Sequence, residues 1–243
     1  MLQPLINALF VVLSFFYKLF GGNLGLSIIS VTLLIKLIVL PLMIPSMKSA
    51  KLMQQLKPDL DKLKDKHSDK KALQEAQMAL YKEKGVNPMA GCLPQIIQIL
   101  ILISLYNVFI NFLKQPSIGG LAMNPYFLYL DLTKPDKTYI MPILAGVTQF
   151  IFSLMLQAGT ESHVENPKKA VEKKKEEDNL EMAQTMQQQM LYMMPLMSIV
   201  VSLNFQSGLV LYWVVSTVFS IVQQYYFSGW GGITTFYNKL IKK

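Results

Sequence analysis

Residues 23–45 read NLGLSIISVTLLIKLIVLPLMIP, and this stretch decides the fold. An α-helix rises ~1.5 Å per residue, so ~20 apolar residues cross the ~30 Å hydrocarbon core of a bilayer. The run is long enough to span, yet Lys36 stands near its middle. An ionised side chain at that depth costs ~2.5–3.5 kcal/mol even on the gentlest insertion scale. Something must offset that cost. One solution is a water-holding cavity that faces the interior of a bundle and takes polar neighbours from other spans. The plainer alternative is a lysine that snorkels or pairs with a carbonyl. On the first reading, the rest of the chain forms the walls and floor of the cavity.

Composition agrees with a membrane protein. The 243 residues are 52% hydrophobic with a mean hydropathy of +0.34, too apolar for a soluble domain of this size. One cysteine, Cys92, excludes an internal disulfide framework, and the isolated His67 and His163 give no metal-ligand spacing. All 23 basic residues are lysine, and the formal charge is +8. Lysine offers a hydrated point charge where arginine would offer a planar fork. AT-rich codon usage is the simple explanation for the missing arginine.

The expected architecture is an all-α integral membrane protein, a five-helix transmembrane bundle with a cytoplasmic helical hairpin and an N-terminal interfacial helix. Residues 1–22 carry Gln3, Asn7, Ser14 and Lys18 along one face of a short apolar helix that suits the interface, with a sixth span as the alternative. No basic n-region or cleavage site marks a signal peptide. Gly21 and Gly22 break this helix before span 1, residues 23–45, which is expected to end at Pro41 and Pro45. Residues 46–88 space Met53, Leu56, Leu60 and Leu63 as a seam. After His67-Ser68-Asp69, the positions Leu73, Gln77, Leu80 and Tyr81 resume a helical face, so a hairpin is expected, with Pro58 bending or restarting its first arm. Span 2 covers 89–113, an outer loop 114–138, span 3 139–157, and a charged linker 158–187. Spans 4 and 5 cover 188–205 and 208–227 across the Gln206-Ser207-Gly208 turn, and a basic tail fills 228–243.

Lysine distribution sets the orientation. The hairpin holds ten, the linker five and the tail three, against Lys18, Lys114, Lys134 and Lys137 on the other side. Hairpin, linker and C-terminus are therefore expected in the cytoplasm, and the N-terminus and the 114–138 loop outside. Asp and Glu stay out of the spans, so Lys36 is the one formal charge at membrane depth. A proton or ion relay would place acidic or histidine partners beside it. An unpaired cation is instead available to an acid brought by a substrate.

Three runs, LLIKLIVLPL at 33–42, YKEKGVNPMAGCLPQIIQ at 81–98 and GLVLYWVVSTVFSIVQQ at 208–224, resemble blocks of the YidC family of membrane-protein insertases. FLYLDLTKPDKTYIMPIL at 127–144 is similar to that family's outer loop and next span, so the resemblance covers nearly the whole chain. A large periplasmic domain ahead of this core is absent, which resembles the shorter Gram-positive type. The resemblance implies a hydrophilic groove open to cytoplasm and lipid and closed outside, with Lys36 at its centre and Gln149 and Trp213 on its wall. The family commonly has Arg at the Lys36 position; charge is kept and the bidentate grip is lost. Ala90 for Gly and Gln206 for Pro are smaller departures.

On this reading the protein is an insertase and chaperone rather than an enzyme. It lets the polar tail of a nascent membrane-protein client enter the inner half of the lipid bilayer while the apolar segment slides out into lipid. No phosphate loop, paired Asp or nucleophile–base set is present, so no cofactor, metal, catalytic residue or specific nucleic acid is expected. Thr32, Gln95 and Gln98 join the groove list, with interhelical hydrogen bonding as the equal alternative. Trp213 also suits an interface anchor. Met182, Met186, Met190, Met193, Met194 and Met197 suit adaptable packing or a client strip. The resemblance implies a bacterial plasma (inner) membrane location and leaves open the Sec translocon, the signal recognition particle pathway and the ribosome as partners. A small-solute transporter, which would show inverted repeats, and a lipid-handling protein are the rival classes.

Overall fold

The computed structural model describes residues 3–66, 70–86, 93–156, 179–230 and 233. Its helices are α1 (Gln3–Leu19), α2 (Leu24–Gln55), α3 (Lys57–Lys66), α4 (Lys70–Glu83), α5 (Leu93–Leu113), α6 (Ile140–Leu156), α7 (Asn179–Asn204) and α8 (Ser207–Ser228). Among the described residues, three helices are long and apolar enough to cross a membrane: Leu24–Met53, Pro94–Leu113 and Ser207–Ser228. The chain is an all-α membrane protein. Helix α6, at 17 residues, and the apolar Tyr192–Asn204 part of α7 are shorter.

Helix α2 does not stop at its prolines. It runs through Pro41 and Pro45 to Gln55, ten residues beyond the expected end. Each proline removes one backbone bond, whereas ending the helix would orphan four carbonyls in an apolar setting. Continuing is the cheaper course. The true break is at Leu56, and Pro58 sits in the first turn of α3, where its missing N–H has no helical partner to lose. Helices α3 and α4 then pack as a hairpin over Leu56, Tyr81 and Val86, with Met53 and Leu60 alongside. The expected break at His67-Ser68-Asp69, residues 87–92 with Ala90, most of the charged linker and the three tail lysines lie outside the described residues. Helix α7 begins at Asn179, nine residues before the expected start of span 4.

The 114–138 segment is more than a plain loop. Two short antiparallel hairpins pair β1 (Ser117–Ile118) with β2 (Leu121–Ala122) and β3 (Tyr126–Phe127) with β4 (Leu130–Asp131). Gly119 and Gly120 turn the first with φ of 58° and 85°, as a two-residue turn with two positive φ values requires. The segment ends on Asp136, only 6% exposed. Its carboxylate accepts from the Thr138 N–H (2.8 Å), the Thr138 hydroxyl (2.6 Å) and the Met141 N–H (2.9 Å) at the start of α6. Burial works to raise its pKa, but the hydrogen bonds from Thr138, Met141 and Ile140 outweigh it and hold the group below the usual carboxylate range. A depressed folded pKa gives stability that is complete above the unfolded value and is lost as pH falls through the folded one. The protection factors of the Thr138 and Met141 amides, their exchange rates corrected for the intrinsic pH dependence, should therefore be high at neutral pH and fall as pH drops below the usual carboxylate range. Asp136→Ala should be weakly protected throughout; a variant as protected as the wild type would remove the cap from this account.

The buried core lies at one end of the bundle, the end that carries the β-hairpins. It draws Leu9, Leu13 and Tyr17 from α1, Leu24, Ile28 and Val31 from the first turns of α2, Leu105, Val108, Phe109 and Phe112 from the last turns of α5, and Leu209–Tyr212 from the start of α8. Toward the α3–α4 end the packing changes. From Pro94 to Ile103 no α5 residue is buried, and Ile96, Ile99, Leu100 and Ile103 are exposed. All four of these exposed side chains are aliphatic, so this surface is suited to lipid. On the far side α6 packs between α7 and α8, and Gly146 admits the Ile199 side chain, which occupies the space a Cβ would need.

Candidate functional site

Lys36 lies twelve residues into α2, ~18 Å from its start. This is just past the last buried α2 residue of the loop-end core, Thr32. The ammonium donates to Ser220 Oγ of α8 at 2.9 Å and to Gln98 Oε1 of α5 at 3.2 Å. Gln98 is itself held: its Nε2 donates to the Tyr212 hydroxyl at 2.7 Å, and its Oε1 also accepts from the Ser216 hydroxyl at 3.2 Å. Ser220 Oγ donates to the Ser216 carbonyl at 3.0 Å. Three helices, α2, α5 and α8, thus meet on one small polar cluster.

Every one of these partners is neutral. Among the described residues, no carboxylate lies within salt-bridge distance of Lys36. The cluster solvates the cation without neutralising it, and the ammonium keeps one N–H beyond the two bonds named. Placed where the apolar core stops, the charge is set to attract an anion entering from the less packed end.

The sequence-derived candidates fall in different places. Lys36 and Gln98 are bonded to each other. Thr32 is one turn before Lys36 on α2, but it is 1% exposed and its hydroxyl donates to the Ile28 carbonyl at 2.6 Å. With Leu13, Leu105, Phe109 and Tyr212 it lines a small apolar cavity on the core side of the cluster. Gln95 is half-buried one turn before Gln98. Trp213, half-buried on α8, stands two turns before Ser220 on nearly the same stripe. Gln149, half-buried on α6, follows Ala145 by one turn. None of these three donates to or accepts from the Lys36 cluster. Of the methionines singled out, Met193 and Met197 are exposed on α7 and Met194 is half-buried; the side chains of Met182, Met186 and Met190 lie outside the described residues.

Tyr212, Ser216 and Ser220 escaped the sequence reading. A spacing signal existed: 212, 216 and 220 recur every four residues on one helical face. Serines in apolar helices commonly bond their own backbone, as Ser104 and Ser198 do here, which makes the pattern ambiguous without a partner helix.

Residues 15–231 match the family model described as 60Kd inner membrane protein. The chain is 41% identical over 217 residues to membrane protein insertase MisCA of Bacillus subtilis, covering 87% of this chain and 73% of that protein. It is 38% identical over 222 residues to membrane protein insertase YidC 2 of Bacillus anthracis, covering 89% and 76%. Membrane protein insertase YidC of Fusobacterium nucleatum is 37% identical over 206 residues, with 84% and 86% covered. Among solved structures, an active YidC insertase resolved with its first transmembrane domain superposes with a TM-score of 0.64 at 24% identity. That alignment takes in 93% of this chain and 47% of the solved one, so the chain spans about half its length.

Proposed function

The chain belongs to the 60Kd inner membrane protein family, with the YidC and MisCA insertases, and on that premise we propose that it moves client transmembrane segments into the bilayer through a polar groove centred on Lys36. The observation that carries the reading is the position of this cation. It sits among neutral partners where the sealed core ends, facing the half of α5 in which no residue is fully buried. In this reading the loop end is outside and the α3–α4 hairpin and C-terminus are cytoplasmic. The bundle takes five spans, with α6 and α7 as the short ones and α1 at the interface. Polar client tails enter from the cytoplasmic half, so they cross only part of the hydrocarbon. Gln95, Gln149, Trp213 and Thr32 belong to the groove wall or its rim. The reading is compatible with the Sec translocon, the signal recognition particle pathway and the ribosome as partners and requires none of them. It invokes no catalytic chemistry, since burial of the client's apolar segment in lipid supplies the free energy.

The charge has enough strength for the role. A carboxylate 4 Å from Lys36 gains ~4 kcal/mol at an effective dielectric of ~20, against ~1 kcal/mol in bulk water. The difference is worth about two orders of magnitude in occupancy, before desolvation is subtracted. The test is insertion of a single-span client with an acidic N-terminal tail into liposomes that contain only this protein. Wild type and Lys36→Arg should insert it, and Lys36→Ala should lose about tenfold or more. Equal insertion by Lys36→Ala would overturn the role given to the charge.

A further inference from the structure

Outside the loop-end core, α2 and α5 are joined differently from their neighbours. Helix α2 packs along α8, and α5 leans chiefly on α1. At the hairpin end of α5, where no residue from Pro94 to Ile103 is buried, the Lys36–Gln98 hydrogen bond crosses from α2 to α5. The two bonds that Gln98 makes to Tyr212 and Ser216 tie α5 to α8 instead.

We propose that Gln98 is a latch between α2 and α5, opened by the carboxylate of an acidic client tail that takes its place on Lys36. The proposal rests on the insertase reading and adds a moving part to it. The bond to the amide oxygen is charge-assisted on the donor side only, and a carboxylate on the same ammonium adds a full opposite charge, whose attraction at an effective dielectric of ~20 is about four times that in bulk water. The spare N–H of Lys36 gives the incoming acid a first foothold before Gln98 is displaced. Ser220 stays on the lysine and holds it to α8. Gln98 in turn keeps Tyr212 and Ser216, so α5 pivots on α8 and separates from α2. The opening is selective: a neutral tail cannot outbid the amide. Gln98 is thus a positioning residue that couples client charge to the width of the α2–α5 gap.

The experiment places spin labels on exposed Ile38 of α2 and Ile99 of α5 in the 243-residue chain carrying Cys92→Ser, reconstituted in liposomes. The probes are a single-span peptide with two N-terminal aspartates and its twin with two asparagines. In the wild type the aspartate peptide should lengthen the label distance by about one helical turn, ~5 Å, and the asparagine peptide should leave it unchanged. Gln98→Leu, which lacks the latch, should give the same label distance with and without either peptide. Gln98→Glu supplies the carboxylate from within: the distance should stay short with either peptide, and insertion of the aspartate peptide should fall about tenfold. If the aspartate peptide inserts while the wild-type distance does not move, the latch is overturned and the insertase reading stands. Wild-type rates of insertion by Gln98→Glu would overturn it equally. If the wild type inserts neither peptide, it is the insertase reading that falls, and the latch with it.

Discussion

Tyr17→Ala is expected to destabilise the protein by about 5 kcal/mol, the largest effect of any single substitution considered. The ring is fully buried and packs edge-on against Phe112, with centroids 5.4 Å apart, while Phe112 also meets Phe10 at 5.6 Å. Truncating a buried aromatic to alanine costs ~3–5 kcal/mol through the cavity it leaves. The hydroxyl adds a second loss. It donates to the Ala122 carbonyl and accepts from the Asn124 N–H, both at 2.8 Å. Leaving such groups unpaired costs ~1–3 kcal/mol. Tyr17→Phe should isolate that part, at about 2 kcal/mol. Thermal unfolding in mild detergent, followed by near-ultraviolet circular dichroism, would rank the three proteins. An alanine variant within about 1 kcal/mol of wild type would mean that the ring does not anchor the loop to α1.

Gly208→Leu should be nearly as damaging, at about 3 kcal/mol, and should also reach the polar cluster. A Cβ at Gly208 would clash with the Cζ edge of the Phe109 ring, and the backbone cannot retreat freely. The Gly208 N–H donates to the Leu132 carbonyl at 3.1 Å, and Ser207 gives both its N–H and its hydroxyl to the Lys134 carbonyl at 2.8 and 2.7 Å. Either these bonds or the α5–α8 contact must yield. If α8 shifts, Tyr212 moves with it, one turn later, and the 2.7 Å bond that positions Gln98 is strained. Insertion should therefore fall together with stability. Adding Phe109→Leu should restore part of both, because contacting positions couple by ~0.5–3 kcal/mol. A double variant no better than Gly208→Leu alone would show that the ring is not the obstacle.

How much of this could be read from the chain depends on which signal each feature leaves. The lone charge of Lys36 in an apolar run stands out against any background, and Gln98 was on the candidate list, although its direction was not. Helix-face geometry alone could not decide whether Gln98 bonds to Lys36 or to a neighbouring backbone. The Ser216–Ser220 pair was hidden because its period is also that of ordinary backbone-bonded serines. Pro41 and Pro45 misled for a physical reason: the stop rule assumes that water can take up freed carbonyls, and within an apolar surrounding it cannot. The hairpins at 117–131 were missed because two-residue strands have too few positions to show alternation. Leu128, at φ 54° and 82% exposed on the tip of the second hairpin, has no sequence signal at all.

The loop-end core also imposes an order on how the chain can be made. Its walls come from α1, α2 and α5, all in the first half of the sequence, but the surface that completes it, Leu209–Tyr212, belongs to the last long helix. Until the ribosome has passed that point, Phe109 lacks its Gly208 neighbour, and the Leu132 and Lys134 carbonyls wait without donors. Gln98 and Ser220 both follow Lys36 in the sequence, so the lysine is made before either of its hydrogen-bond partners exists. A chain interrupted before residue 207 would present an unfinished seam to quality-control proteases. The protein's own biogenesis therefore poses a demand of the kind proposed for its clients: a lone cation must be accommodated before the helices that shelter it have arrived.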